Sequence, residues 1–338
     1  MRVLVTGGTG FLGRHVVRGL LEAGAEVRCL VRPSSDTGIV QSNYREFDRN
    51  LEFVCGDLTR PDTYIAALAD CDTVFHLAAE LSGATASLFL SNVVGTRRLI
   101  EGSTKQRVKR FVMISSIAVY DTAGLQPGAI VNEEVPLDPK AHLRDPYTYS
   151  KVRQENVAWE AHSNLSFPLV VIRPGNLYGP GRDCLGGRVG IRLGRLMVVM
   201  DGKQRMPYTH VKNCAAAIVK AGSQEGIEGS ALNIVDDELP TARELTRRYR
   251  SEIGGIRHLV LPGWAVSAAS RLNLWYHRRS RGQLPAILTP YKSRSMWRPL
   301  RYSNDRAKVV LGWKPEIELN KGLEETFAWF NNAHQSRN

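Results

Sequence analysis

The chain has no C-x-x-C pair, and its five cysteines (Cys29, Cys55, Cys71, Cys184 and Cys214) are odd in number and dispersed over 338 residues. A disulfide framework and a structural zinc site are therefore excluded, no metal is expected, and a reducing compartment fits. No stretch reaches the roughly 18 uncharged apolar residues of a membrane-spanning helix. The apolar run at Met1–Thr6 is too short for a signal peptide, so a cytoplasmic location is expected. Internal repeats and low-complexity tracts are also missing. Acidic residues are scarce in one place: between Arg271 and Lys308 ten Lys/Arg face only Asp305. That window carries +9 of the net charge of +12, so the basicity is a local feature that needs a local cause. No recognised nucleic-acid-binding module accompanies it, and nucleic acid is excluded as a partner.

What remains is an ordinary globular composition, 43% hydrophobic and 23% charged, long enough for one large core and a smaller lobe. Short apolar runs at Arg2–Thr6, Val27–Val31, Leu51–Cys55, Thr73–Leu77, Phe111–Ile114 and Leu169–Arg173 alternate with helical patterns. Phe11–Ala23 is one such pattern, and Gly24 is placed to end it. This alternation predicts an α/β fold: a Rossmann-type doubly wound parallel sheet. Residues 1–175, with returning segments near 208–236, should bind the cofactor. After Arg173-Pro174-Gly175 the alternation fades, and helical stretches follow around 215–221, 242–253 and 319–330. The segments 176–207 and 237–332 should form a smaller C-terminal substrate lobe.

Gly7-Gly8-Thr9-Gly10-Phe11-Leu12-Gly13 follows the first strand and opens the first helix. Gly7 permits a tight turn, Gly10 lets the backbone approach a pyrophosphate, and Gly13 allows close helix–strand packing. Such a triplet in this context predicts dinucleotide binding. The second strand ends Val31-Arg32-Pro33-Ser34-Ser35, with no acid before Asp36. Arg32 suits the 2′-phosphate of NADP better than the 2′-hydroxyl of NAD, so NADP is the expected cofactor and NAD the alternative.

Tyr147 and Lys151 lie four apart at a helix start, a spacing that stacks both on one face. A nearby ammonium favours the phenolate, making Tyr147 a candidate acid/base for a carbinol or ketone. Tyr149 is a rival, but only Tyr147 has Lys at i+4. Ser116 follows the Phe111–Ile114 strand, where open α/β sheets bind ligands, and could hold the same substrate oxygen. Together with Gly56-Asp57-Leu58, Phe75-His76-Leu77-Ala78-Ala79, Arg173-Pro174-Gly175-Asn176-Leu177-Tyr178-Gly179-Pro180, and the ending Asp305–Lys308 and Leu311–Pro315, these motifs occur in a familiar order. The sequence resembles the extended short-chain dehydrogenases/reductases, the NAD-dependent epimerase/dehydratase superfamily, over nearly its whole length. The resemblance implies a Ser116–Tyr147–Lys151 catalytic triad, with Lys151 also on the nicotinamide ribose. It implies that Asp57 contacts adenine, and that Gly7, Gly10, Phe11, Leu12, Gly13, Arg32, Leu58, Leu77, Ala78, Ala79 and Pro174 line the cofactor.

Family members that dehydrate or decarboxylate sugar nucleotides carry acids just after the catalytic hydroxyl residue, where this chain has Ile117 and Ala118. Hydride transfer at one carbon remains, as alcohol/ketone redox or as epimerisation through a transient ketone. Asn176 stands where related enzymes place an Asn on a nucleotide-sugar diphosphate. Against that substrate, Met206 replaces a usual Arg, with Arg205 one residue off, and Lys212 and Asn213 replace usual acids. The wording Pro207-Tyr208-Thr209 is more similar to the 3β-hydroxysteroid-dehydrogenase-like branch and its hydrophobic alcohols and ketones. The rival of another class is a non-catalytic NAD(P)-sensing protein, against which the retained Ser116, Tyr147 and Lys151 speak. The resemblance leaves room for a homodimer.

Three readings of the basic window stay open. Trp264, Ala268, Leu272, Trp275 and Tyr276 share one face of a possible helix flanked by Arg271 and Arg278, which with Arg279 and Arg281 would suit peripheral membrane contact through 264–281. Arg294, Arg298 or Arg301 could instead clamp an anionic substrate, with Arg205, outside the window, a further candidate substrate residue beside Asn176. The third reading is an aromatic face packed in the core with solvated charges outside.

Overall fold

Seven short strands form one all-parallel sheet: β1 (Arg2–Thr6), β2 (Glu26–Val31), β3 (Leu51–Cys55), β4 (Thr73–His76), β5 (Arg110–Ile114), β6 (Leu169–Pro174) and β7 (Ser230–Ile234). Their spatial order is β3-β2-β1-β4-β5-β6-β7, so the winding reverses between β1 and β4. The central strands β4, β5 and β6 are buried along their whole length, as expected where helices cover both faces. The computed structural model describes residues 1–338 except 39–40, 42–43, 282, 284–286 and 336–338.

Six helices matter below: α1 (Phe11–Glu22), α2 (Gly95–Lys105), α3 (Pro146–Leu165), α4 (Val211–Ser223), α5 (Gly263–Arg279) and α6 (Pro290–Trp297). Alternate strand residues feed opposite cores. Val3, Val5 and Val112 pack with Val16, Leu20 and Ile218 of α1 and α4. Leu4, Phe111 and Met113 point the other way, onto Leu99 of α2 and Ala158 of α3. Gly24, at φ +78°, closes α1: its N–H meets the Leu21 carbonyl, and the Ala25 N–H meets that of Leu20.

Strand β7 lies outside the six-strand reading. Ser230-Ala231-Leu232-Asn233-Ile234 has too few apolar residues to read as a buried parallel strand, yet it pairs with β6 in register. Asn233 is tolerated there because its Oδ1 accepts the Tyr120 hydroxyl at 2.6 Å. Beyond β6, a three-stranded sheet of Gly190–Leu193, Leu196–Met200 and Arg257–Leu261 builds a further core with Ala242, Leu245 and Tyr249. Among the described residues no helix is long and apolar enough to cross a membrane.

The aromatic face of α5 corrects one expectation. Only Val266 and Ser270 of that helix are buried, whereas Trp264, Leu272, Trp275 and Tyr276 are between 50% and 76% exposed. The core-packed reading of this face is therefore wrong. Nothing else in the fold reaches far enough to cover it among the described residues.

Candidate active site

A cleft of about 980 Å³ opens at the carboxyl ends of the strands, where the sheet order reverses. Its floor is the glycine loop. Gly7 sits at φ +72°, and a Cβ there would come 2.7 Å from the Ala78 nitrogen. A Cβ on Gly13 would come 2.0 Å from the Gly7 carbonyl oxygen, so α1 approaches the loop too closely for any side chain. The α1 N-terminus thus faces a backbone cradle, and these residues fit a dinucleotide pyrophosphate. Arg32, at the end of β2, is exposed on the cleft wall, and its backbone N–H donates to Ser35 Oγ at 3.1 Å. Across from it, the Thr59 N–H and hydroxyl both donate to Asp57 Oδ1 at 2.8 Å. These bonds, with the Arg32 charge, hold the Asp57 carboxyl below its ordinary value.

The reacting end lies where β5 and α3 meet. Ser116 lies two residues past the end of β5, and its Oγ accepts the Ala118 N–H at 3.1 Å. Asp145 caps α3, accepting both the N–H and the hydroxyl of Thr148 at 2.8 Å, with Pro146 opening the first turn. That cap aims Tyr147 and Lys151 into the cleft. Tyr149, between them, turns away to pack on Phe89 and His142.

The charges differ from the expectation. Burial raises the Tyr147 phenol above its ordinary value, and only the Ser116 hydrogen bond and the Arg182 charge pull it back. Lys151 lines the cleft with its ammonium tied to its own side of the site: the Nζ donates to the Ile114 carbonyl at 2.7 Å and to Gln154 Oε1. Burial lowers Lys151 to about 7, partly opposed by Glu155. The phenol is therefore a proton donor in this structure, and the ammonium is held one turn below it. Gln154 Nε2 donates to Thr96 Oγ1 at 2.7 Å; Thr96 meets His76 Nε2, and His76 Nδ1 meets Thr6 Oγ1 at 2.8 Å. The chain of bonds ends at the Ala78 N–H, so one buried network links the lysine to the cofactor wall.

Beneath Lys151, the Glu155 carboxylate accepts the Ser115 hydroxyl, the Arg173 guanidinium and the Trp159 Nε1 at 3.0 Å. Arg173 also donates to the Tyr120 hydroxyl at 2.7 Å and lies over that ring. Against the cost of burial, Glu155 and Tyr120 keep Arg173 above its ordinary range. This ion pair fixes α3 to β5 and β6 from below.

The cleft walls contain Gly7, Gly10, Phe11, Leu12, Gly13, Arg32, Asp57, Leu58, Leu77, Ala78, Ala79, Ser116, Tyr147, Lys151, Pro174 and Asn176. The three substrate arginines expected from sequence do not join them. Arg205 donates to the Leu239 carbonyl at 2.9 Å, Arg298 donates to the Leu125 carbonyl, and Arg301 is exposed on a strand paired with Ile130. Two other arginines take the place. Arg182 lines the cleft above the Phe11 ring, and Arg188 lines it with only 9% exposure, donating to the Tyr302 hydroxyl at 3.2 Å. Neither has a carboxylate partner among the described ion pairs. The sequence signal for Arg182 was its place two residues after the Arg173–Pro180 motif; Arg188 carried none.

Two buried histidines, His76 and His210, and the half-buried His15 make the fold acid-sensitive. Burial lowers His76 to about 3, helped by Lys151, and lowers His15 and His210 to about 4. Folded chains hold these rings neutral while unfolded chains protonate them below 6.5, so stability is lost as pH falls from 6.5 towards 4. Asp236 works in the opposite sense: burial raises it to about 6, so its contribution is lost as pH rises through that value. Three groups outweigh one, and Tm should fall steadily from pH 6.5 to 4. A pH series of thermal melts checks this. The conservative change His76→Asn should make the fall shallower, and a flat series would refute the assignment.

Fold and cleft together define a dinucleotide-dependent enzyme of the doubly wound α/β class. The chain belongs to the NAD dependent epimerase/dehydratase family, whose model matches residues 3–234. It is 30% identical to the 2-alkyl-3-oxoalkanoate reductase of Stenotrophomonas maltophilia over 337 residues, covering 96% of this chain and 97% of the relative. It is 31% identical to the UDP-glucose 4-epimerase of Mycolicibacterium smegmatis, covering 99% and 100%. Among solved structures, that of gox2253 superposes with a TM-score of 0.79 at 26% identity, over 98% of each chain.

Proposed function

We propose that this enzyme catalyses net reduction of a lipophilic ketone, or oxidation of the matching alcohol, with NADP(H), in the manner of the hydroxysteroid-dehydrogenase-like branch. The observation that carries the reading is the meeting of Ser116 and Tyr147 with the glycine cradle in one cleft that offers no free acid beside Ser116. Ile117 is buried and Ala118 cannot titrate. The acids on the walls are engaged: Glu80 with Ser87 and Ser91, Asp145 in the α3 cap, Asp57 with Thr59, and Asp183 with the Leu185 N–H. The glycine cradle would hold the dinucleotide, which would supply the hydride for the carbonyl carbon. Tyr147 would give its phenolic proton to the carbonyl oxygen, which Ser116 would hold, and Lys151 would turn from the Ile114 carbonyl and Gln154 to hold the ribose and let the phenol recover its proton. Residues 1–175 and 208–236 would carry the cofactor, and 176–207 and 237–332 would cover the substrate.

A second observation narrows the substrate. A buried cleft guanidinium without an acid, as at Arg188, is costly unless an anion joins it. A 3-oxo acid offers a ketone and a carboxylate together, as the name of the Stenotrophomonas relative indicates for that enzyme. A nucleotide-sugar, with Asn176 and these arginines on its diphosphate, is the reading this observation also favours.

Incubation with NADPH and a long-chain 2-alkyl-3-oxo acid should consume one nucleotide per hydroxy acid formed. Removal of one charged hydrogen bond by Arg32→Ala should lower kcat/KM for NADPH about tenfold and leave that for NADH unchanged. Epimerisation of UDP-glucose with no net change in the nucleotide spectrum would replace this reading by the second.

A further inference from the structure

We propose that the outer face of α5 docks on an anionic phospholipid bilayer and lies flat in its interface. A 17-residue helix that buries only Val266 and Ser270 keeps most of its surface for something else. At 100° per residue, Trp264, Ala268, Leu272, Trp275 and Tyr276 fall within about a third of the circumference, opposite Val266 and Ser270. All five are exposed, Trp264 to 76% and Leu272 to 64%. Arg271 and Arg278 border this arc, Arg279 lies within it near the C-terminal end, and Arg281 follows; all four are exposed. None of the four forms an ion pair among the described residues.

The charge chooses the occupant. Amphipathic aromatics rimmed by arginines match an interface in which rings sit at headgroup depth and guanidinium groups reach up to phosphates. A second copy of this strongly basic surface would bring like charges together, whereas an anionic bilayer is complementary to them. The helix is also anchored to the cleft. Val266 packs in one cluster with Met200 and Trp297, and Met296 of α6, packed against that cluster, lines the cleft itself. The Asn273 side chain further ties α5 to the next segment, accepting the Leu288 N–H at 3.0 Å. A docked α5 would therefore hold the substrate side of the cleft one helix layer from the bilayer, where a lipophilic substrate is concentrated.

Co-sedimentation with phosphatidylcholine vesicles, with and without phosphatidylglycerol, tests this. The full chain should bind the anionic vesicles at low salt, release at high salt, and ignore phosphatidylcholine alone. Tryptophan emission should shift to shorter wavelength on binding. Arg278→Gln with Arg279→Gln should weaken binding about fivefold for each residue. Trp264→Ser with Trp275→Ser should abolish the emission shift. Because these side chains are exposed, melting temperature and NADPH binding of the variants should match the parent, which separates lost docking from lost folding. Vesicle binding is read without turnover, so its failure leaves the assigned reaction standing. Absence of binding to anionic vesicles at low salt overturns the proposal, as does undiminished binding by both double variants. A dimer that the tryptophan changes dissociate, without vesicle binding, assigns the face to a second copy and also overturns it.

Discussion

Replacing Tyr147 by phenylalanine is expected to lower kcat by about 10²–10⁴-fold while dinucleotide affinity stays within a factor of two or so. The ring lines the cleft, and the change deletes a single hydroxyl. Packing and the Asp145 cap are left in place, so the loss reports the proton and not the fold. Burial keeps the phenol protonated, so ketone reduction needs no prior uptake of a proton from solvent. The buried ammonium of Lys151, lowered to about 7, makes the companion expectation: the rate of reduction falls as pH rises through that region. Lys151→Arg should carry the falling limb to higher pH, since a guanidinium does not titrate there. Unchanged turnover of an identified substrate by the phenylalanine variant would end the role given to Tyr147.

Truncating Glu155 to alanine is expected to cost about 3–5 kcal/mol of stability, the largest structural effect of any single change at the site. The carboxylate is fully buried and is the only acid paired with the Arg173 guanidinium among the described residues. Removing it strands that charge between β6 and the Tyr120 ring, and leaves the Ser115 hydroxyl and Trp159 N–H without their acceptor. Glu155→Gln keeps an acceptor and should cost less. A further Arg173→Met in the alanine background should restore much of the loss, because the stranded charge goes with it. Denaturant midpoints for the four proteins measure this, and a loss of under about 1 kcal/mol in the alanine variant would show the pair to be solvated.

The parts of the site legible in the sequence are those that local geometry dictates. Only glycine tolerates φ +72° at position 7 and the 2.0 Å approach at position 13, so the phosphate cradle is written in residue type. Tyr147 and Lys151 are legible because helical spacing fixes their common face, and Ser116 because it ends an apolar strand. Arginines were read less well. The surroundings of Arg298 and Arg301 depend on Leu125 and Ile130, about 170 residues earlier, and no local pattern announces such a pairing. Arg188 enters the cleft through a loop whose path is set by tertiary packing. The apolar stripe of α5 was visible, but its destination was not. A stripe of that period fits a core or an interface equally, and only the small inner face of Val266 and Ser270 decides between them. Strand β7 escaped for the opposite reason, its burial exceeding what its composition suggests.

The late completion of one helical layer has a consequence for synthesis. The layer of α1 and α4 is completed by Ala307, Leu311 and Trp313, and Trp313 Nε1 donates to the Asn213 carbonyl at 3.1 Å. Asn213 in turn accepts the N–H groups of Glu316 and Ile317. A nascent chain that has released β6 from the ribosome still lacks these residues, and elongation through them takes on the order of ten seconds. Until they emerge, the outer side of α4, which itself covers the glycine-loop helix, lacks its last apolar cover, and a holdase chaperone would find its target there.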